Sequence, residues 1–344
     1  MPAHINQLSV FYFLLFLLQP SECQCQVNSE KDVFTFMFYN VENYFDCTDD
    51  SLTNDDEFTF NGIRGWNRSR LHEKTERIAK VILAAGKWNP PVLVGLCEIE
   101  NRNVLEVLSK STTLSKFNYR IIQKDSPDDR GIDVALIYRP DLFRPFNYQS
   151  IKIVDSTNVT FKTRDILQVS GVLNGCDTIY VFVNHWPSRY GGIMETVRFR
   201  KLASEALNKA IRNIKKTSPE AKIVCTGDFN DTPRDESIKE LVKSRDTERC
   251  EMINLSDDWM SQEIQTIKNQ YIWEVFDQWI VSGCFLKSNN CYHFLKAEIL
   301  RSPFLLEPDT KFGGVKPKRT YNGFKYQDGF SDHLPVLLRI QLNH

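Results

Sequence analysis

Residues able to do chemistry recur in this sequence at one kind of place, the end of a short apolar run. VFTFMFYN (Val33 to Asn40) is followed at once by Glu42 and Asn43, and the run Val92 to Cys97 by Glu98 and Glu100. Thr178 to Asn184 delivers His185, and Tyr271 to Phe276 delivers Asp277. The clearest case is AKIVCTGDFNDTP (Ala221 to Pro233). Its apolar residues Ile223, Val224 and Cys225 break at Gly227 into Asp228, Asn230, Asp231 and Thr232, and Pro233 bars continuation. Asp332 and His333 stand just before the last run, Leu334 to Leu342. Runs this short read as buried strands, and strand ends at a sheet edge are where α/β proteins hold ligands.

The residue types narrow the chemistry. Carboxylates and side-chain amides are hard oxygen donors, suited to magnesium or manganese and wrong for softer metals. Two histidines, His185 and His333, can move protons or donate to phosphate oxygens. There is no GxSxG elbow, no HExxH and no Walker loop. What remains is metal-assisted attack by water on a phosphate ester.

The elements between these ends must bring them together. Arg70 to Lys87 repeats Leu71, Ile78, Ile82 and Ala85 at helical spacing and stops at Gly86. Asn101 can cap a second helix carrying Val104, Leu105 and Leu108 inward, and Glu195 to Lys215 is the longest helical pattern. A short helix is expected over Glu236 to Lys243. Tyr119–Gln123 and Ile132–Tyr138 read as strands about the polar turn Lys124 to Gly131, and Ile151 to Leu173 as antiparallel strands. Asp46 to Glu57 is acidic but lacks the glycine a calcium loop needs, so it reads as a solvated loop over the sheet edge. Asn289 to Lys318 is irregular and Pro-containing, an excursion whose Lys316 to Arg319 could help hold a phosphate.

Of the 344 residues, 42% are hydrophobic and 25% charged, and no linker or repeat divides them, which points to one large domain. The net charge of −1 provides no global field to collect nucleic acid, so phosphate chemistry must rest on local Arg, Lys and metal. Residues 8–18, LSVFYFLLFLL, have the length of a signal-peptide core. They predict a leader over residues 1–25, export to the periplasm or beyond, and a domain over residues 30–344. Pro20-Ser21-Glu22 before Cys23 is not the small-residue run that a lipoprotein peptidase prefers, which argues against a lipid anchor. Nine cysteines do not read as a disulfide framework. Cys97 and Cys225 fall inside strands as small hydrophobes, while Cys284 and Cys291 bracket a polar turn and could close a loop.

Six short segments, in order, carry a family resemblance: YNVEN at Tyr39–Asn43, the strand ending in Glu98, NHWPSR at Asn184–Arg189, GDFND at Gly227–Asp231, FDQ at Phe276–Gln278 and SDHLPV at Ser331–Val336. Together they resemble the endonuclease/exonuclease/phosphatase superfamily, the group of deoxyribonuclease I and the abasic-site endonucleases, and most of all its secreted bacterial members. The resemblance implies a four-layer α/β sandwich, two packed mixed β-sheets flanked by helices. It implies Glu98 as principal magnesium ligand, helped by Asn40 and by Asp332 or Glu42. Asp277 would orient His333, and that pair would activate water or stabilise the phosphorane-like state. Asp228 and Asn230 would sit at the scissile phosphate, with Asp228 a rival base or leaving-group acid. His185 would contact the phosphate opposite His333, and Arg189 or Arg130 would neutralise its charge. The implied activity is a metal-dependent phosphodiesterase, first of all a monomeric endonuclease on DNA or RNA with no stable protein partner. A lipid or inositol-phosphate hydrolase of the same fold is the alternative. FDQWIV at Phe276–Val281 departs from the Trp-Cys-Asp-Arg form of the phosphatases, whereas the aromatics of Cys284 to Leu306 would suit a membrane-contacting hairpin. A catalytically silent binding module is the remote third reading.

Overall fold

The apolar runs assemble into two six-stranded sheets. In chain order the strands are β1 (Val33–Tyr44), β2 (Leu93–Ile99), β3 (Arg120–Gln123), β4 (Asp133–Tyr138), β5 (Phe143–Ile151) and β6 (Ile166–Leu173). They continue with β7 (Asp177–His185), β8 (Lys222–Asp228), β9 (Met252–Asn254), β10 (Asp277–Ser282), β11 (Tyr292–Ile299) and β12 (Val336–Leu342). The first sheet has the order β11-β12-β1-β2-β4-β3 and the second β5-β6-β7-β8-β10-β9. Both are mixed. β1 runs parallel to β2 and β7 parallel to β8, while the other neighbours are antiparallel. This computed structural model describes residues 32–343 apart from 88, 243–249 and 288–289; the expected leader, residues 1–25, lies outside the described residues.

The two sheets pack face to face. Phe36, Phe38, Val94 and Leu96 of the first share one core with Val181, Val183, Val224 and Val281 of the second. Gly95 lets them approach closely: a Cβ there would lie 3.2 Å from the Phe38 ring and 3.3 Å from Val183. Helices cover the outer faces. α1 (Arg68–Gly86) buries Ile78, Ala79, Val81, Ile82 and Ala85, and α2 (Arg102–Ser111) buries Val104, Leu105 and Leu108. α3 (Ile193–Thr217) seats Leu207, Ile211 and Ile214 in a second core with Phe182, Ile223, Cys225 and Ile280. The result is a four-layer α/β sandwich.

Asn101 caps α2 as expected, accepting from the Val104 amide at 3.2 Å. α1 starts two residues before the expected Arg70, because Asn67 accepts from the Ser69 and Arg70 amides. Three expectations are corrected. Tyr271 to Phe276 is not a sheet strand: Ile272–Glu274 pairs with Ile267–Asn269 in a separate ribbon, and the sheet strand begins at Asp277. The tract from Asn289 is not merely irregular, because β11 adds an edge strand to the first sheet beside β12. Cys284 and Cys291 do not pair with each other. Cys176 bonds Cys291 and Cys250 bonds Cys284, leaving Cys47, Cys97 and Cys225 free among the described residues. The Cys176–Cys291 bond ties the turn before β7 to the segment before β11, and so joins the two sheets at the end opposite His185.

Candidate active site

The candidates on β1 and β2, and Asn230 after β8, stand at local irregularities of the backbone. The β1–β2 ladder shifts register between Asn40 and Tyr44, where Glu42 and Asn43 take left-handed φ values of 54° and 55°. The β2–β4 ladder shifts between Cys97 and Ile99, with Glu98 at φ 60°. Such bulges bend a strand and re-aim its side chains, and non-glycine residues in this region mark sites that the surrounding structure holds in place. On β8, Gly227 is required because a Cβ would collide with the Asn184 backbone of β7, and Asn230 follows at φ 50°.

The sheets bring these ends together. Asp228 and Asp277 are partners in the β8–β10 ladder. Asp277 Oδ2 accepts from His333 Nδ1 at 2.7 Å, which places the imidazole Nε2 3.7 Å from Asp228 Oδ2. His185 Nε2 lies 3.7 Å from the same oxygen. Asp228 Oδ2 also accepts from Asn40 Nδ2 at 3.1 Å, and its Oδ1 from the Asn230 amide at 3.0 Å. Asn40 Nδ2 reaches Glu98 Oε1 at 3.4 Å, and the Asn43 amide donates to Glu98 Oε2 at 2.8 Å. Asn40, Glu98, Asp228, Asn230, His185, Asp277 and His333 thus form one connected group.

The two histidines are driven apart electrostatically. Burial pushes His185 well below the usual imidazole range, and Arg164, Arg130 and His333 add to this. Its Nδ1 has no partner among the described residues. Burial also opposes charge on His333, but Asp277 and then Asp228 outweigh it and hold its pKa well above the usual range. Burial raises Asp228 to about 6, with His333 pulling down and Asp277 pushing up. Paired groups pushed in opposite directions are how a site separates acid from base.

The remaining candidates fall at the rim. Arg130 is half exposed; its Nη2 donates to Asn43 Oδ1 at 2.5 Å and lies 3.9 Å from Glu98 Oε2. Arg189 does not face the site as expected. Its Nε donates to the Asn230 carbonyl at 2.8 Å, and its terminal nitrogens are taken by Glu274, Asp231 and Asp235 at 3.1, 3.1 and 2.8 Å. It clamps the Asn230 loop, because three carboxylates converge there that the sequence leaves scattered. Glu42 and Asp332, expected beside the metal, both turn to Arg319: Arg319 Nη2 donates to Asp332 Oδ2 at 2.9 Å and lies 3.4 Å from Glu42 Oε1. The Thr320 amide donates to Glu42 Oε2 at 2.6 Å.

Two buried arginines hold the loops and were missed in the sequence. Arg164 donates to Asp128 at 3.0 Å and to the Trp186 carbonyl at 2.7 Å, joining the Arg130 loop to the His185 loop. Arg200, fully buried on α3, donates to Asp231 at 2.6 Å. Nothing local to either residue distinguishes it from a surface arginine; only its burial does.

A divalent metal fits the donor set. Glu98 presents a partly exposed carboxylate, a hard oxygen donor whose ion-pair partner among the described residues, Arg130, stands off at 3.9 Å. Asn40 turns its Nδ2 toward Glu98 while its Oδ1 accepts from the Glu42 amide, so its oxygen would join the ion with the side-chain amide turned over. When bound there, the ion would supply Lewis-acid polarisation of a phosphoryl oxygen.

Two mixed sheets packed between helices, with a buried His–Asp pair and a hard-oxygen set at one edge, define a hydrolase of phosphate esters. The chain belongs to the Endonuclease/Exonuclease/phosphatase family, which it matches over residues 35–342. Among solved structures it is similar to humanised D. rerio TDP2, at 14% identity and a TM-score of 0.56 over 90% of this chain and 99% of that one. It is similar to a family protein of Bacteroides thetaiotaomicron at 15% identity and a TM-score of 0.56, over 90% of this chain and 95% of that one. The human Nocturnin catalytic domain with bound sulfate matches at 18% identity and a TM-score of 0.56, over 91% and 95% of the respective chains. These likenesses are to the fold. No curated protein sequence matches the chain significantly.

Proposed function

We propose that this protein is an exported, magnesium-dependent phosphodiesterase that cleaves nucleic acid. The observation that carries the reading is Asp228 Oδ2 set 3.7 Å from the Nε2 of both histidines, with Asp277 clamping His333 from behind. In this reading Glu98 and Asn40 hold the metal. Asp228, ionised at neutral pH, takes the proton from the attacking water, and the His333 imidazolium donates to the phosphate oxygens as charge builds on them. Neutral His185 donates from the other side, and Asn230 and Arg130 orient the phosphate.

A D. rerio TDP2 complexed with single strand DNA product shares the fold at 13% identity and a TM-score of 0.54, which supports a nucleic-acid substrate. The two disulfides support an oxidising compartment and hence export. The lipid alternative loses the feature that favoured it. Phe285 and Tyr292 are fully buried, and Phe294 and Phe304 pack on the core, so the aromatics of Cys284 to Leu306 turn inward.

The test is hydrolysis by the mature chain with magnesium or with chelator, offered plasmid DNA, RNA, sphingomyelin and a soluble inositol phosphate, with His333→Ala as the blank. Metal-dependent cleavage of DNA or RNA, lost in the variant, is expected. Turnover of lipid or inositol phosphate alone would overturn the substrate and keep the mechanism.

A further inference from the structure

The site needs positive charge for the phosphate, and the arginine expected to supply part of it is spent. Arg189 is taken by three carboxylates, Arg164 by Asp128 and Trp186, and Lys74, fully buried, by Thr320 Oγ1 and the Phe330 carbonyl. Lys316 lies 3.4 Å from Glu307. Arg319 is placed differently. Its Nη2 and Nε are engaged by Asp332 and Glu42, while its Nη1 donates to no described residue, and its side chain is 40% exposed against 3% for Glu42. Its two acids immediately adjoin the catalytic group: Asp332 precedes His333, and Glu42 donates its amide to Asn40 Oδ1 at 2.9 Å. The Thr320 amide on Glu42, at 2.6 Å, and the Lys74 contacts on Thr320 and Phe330 stiffen the segment that carries it.

A guanidinium anchored along one edge and open along the other is already oriented for an oxyanion, and loses little entropy on meeting one. We propose that Arg319 binds a non-bridging oxygen of the substrate phosphate through Nη1, and that Glu42 and Asp332 aim this arginine rather than ligate the metal. The charges agree. Glu42 and Asp332 face Arg319 and Lys74, two acids against two cations, whereas among the described residues the ion-pair partner of Glu98 is Arg130 at 3.9 Å, and it feels Arg319 and Lys74 from farther off. The assignment rests on the phosphoester-hydrolase reading but not on which ester is cleaved.

The test uses inorganic phosphate as the probe, titrated calorimetrically into the magnesium-loaded full chain, beside kcat and KM for a diester. Arg319→Ala is expected to weaken phosphate binding about tenfold or more, the worth of one charge-assisted hydrogen bond, and to raise KM for the diester. Arg319→Lys keeps the charge but not the fork and recovers part of the loss. Glu42→Gln loosens the anchor and weakens phosphate binding by a smaller factor. Phosphate affinity within threefold of wild type in Arg319→Ala would overturn the proposal. If that variant does not fold, unchanged affinity in both Arg319→Lys and Glu42→Gln would do so. A wild type that loses phosphate on Arg319 substitution yet cleaves no diester would leave this assignment standing and remove the hydrolase reading. Diester cleavage unaffected by the substitution would do the reverse.

Discussion

Asp277 and His333 meet at 2.7 Å from opposite sheets: Asp277 opens β10 of the second, and His333 stands just before β12 of the first. The bond therefore closes the sandwich at its catalytic edge, and it makes the state of His333 a property of the packed sheets. Asp277→Asn removes the charge that most favours the imidazolium, so the His333 pKa falls. The alkaline limb of the pH–rate profile is expected to move to lower pH, with kcat down about a hundredfold or more. A rate loss with no movement of that limb would mean that His333 does not act as the imidazolium.

Glu98 and the pair Glu42–Asp332 should separate in metal binding. Glu98→Gln is expected to weaken magnesium or manganese affinity by about two orders of magnitude, as removal of a principal carboxylate ligand should. Asp332→Asn, whose native partner is Arg319 at 2.9 Å, should weaken it far less. Manganese titration followed by electron paramagnetic resonance reads both. Equal losses would place Asp332 on the metal.

Reduction should cost stability without touching the chemistry. Cys176 and Cys291 are separated by 115 residues and lie at the end away from His185. Replacing both by serine is expected to lower unfolding free energy by about 2–5 kcal/mol in denaturant titration, with kcat preserved below the new midpoint. Loss of kcat in the still-folded variant would show that the sheet spacing at the far end controls the site.

One buried carboxyl makes stability fall as pH rises. Burial raises Asp133 to about 7, against about 3.9 for a free side chain, despite hydrogen bonds from Ser126 and Gln123. The folded chain therefore holds a proton there that the unfolded chain has lost. The stabilisation is full below about pH 4 and is lost through pH 7, with a ceiling of about 4 kcal/mol. Asp133→Asn should flatten the melting temperature between these limits. An unchanged slope would show that Asp133 is ionised in the folded protein throughout.

The sequence alone determined which residues could do chemistry and that they stand at strand ends. Asn40, Glu98, His185 and Asp228 each close an apolar run whose length admits only a strand, and Gly227 marks the break. Those signals are local, carried by residue type and spacing, and so is the helix start at Asn101. What the chain order leaves open is whatever depends on two distant segments meeting. Asp277 looked like the end of a strand because Ile272 to Phe276 is apolar, but it begins one, since β10 runs antiparallel to β8 and enters the sheet at the catalytic edge. Arg189 reads as free because Asp231, Asp235 and Glu274 are remote from it in sequence, and Arg319 is not told apart from its neighbours in Lys316 to Arg319 as a phosphate contact because Glu42 lies 277 residues away. The disulfide partners were hidden for the same reason. A side chain's charge and reach are written in its type; its partner, and so its role, is decided only when the two sheets pack and burial forces every charge to find an opposite.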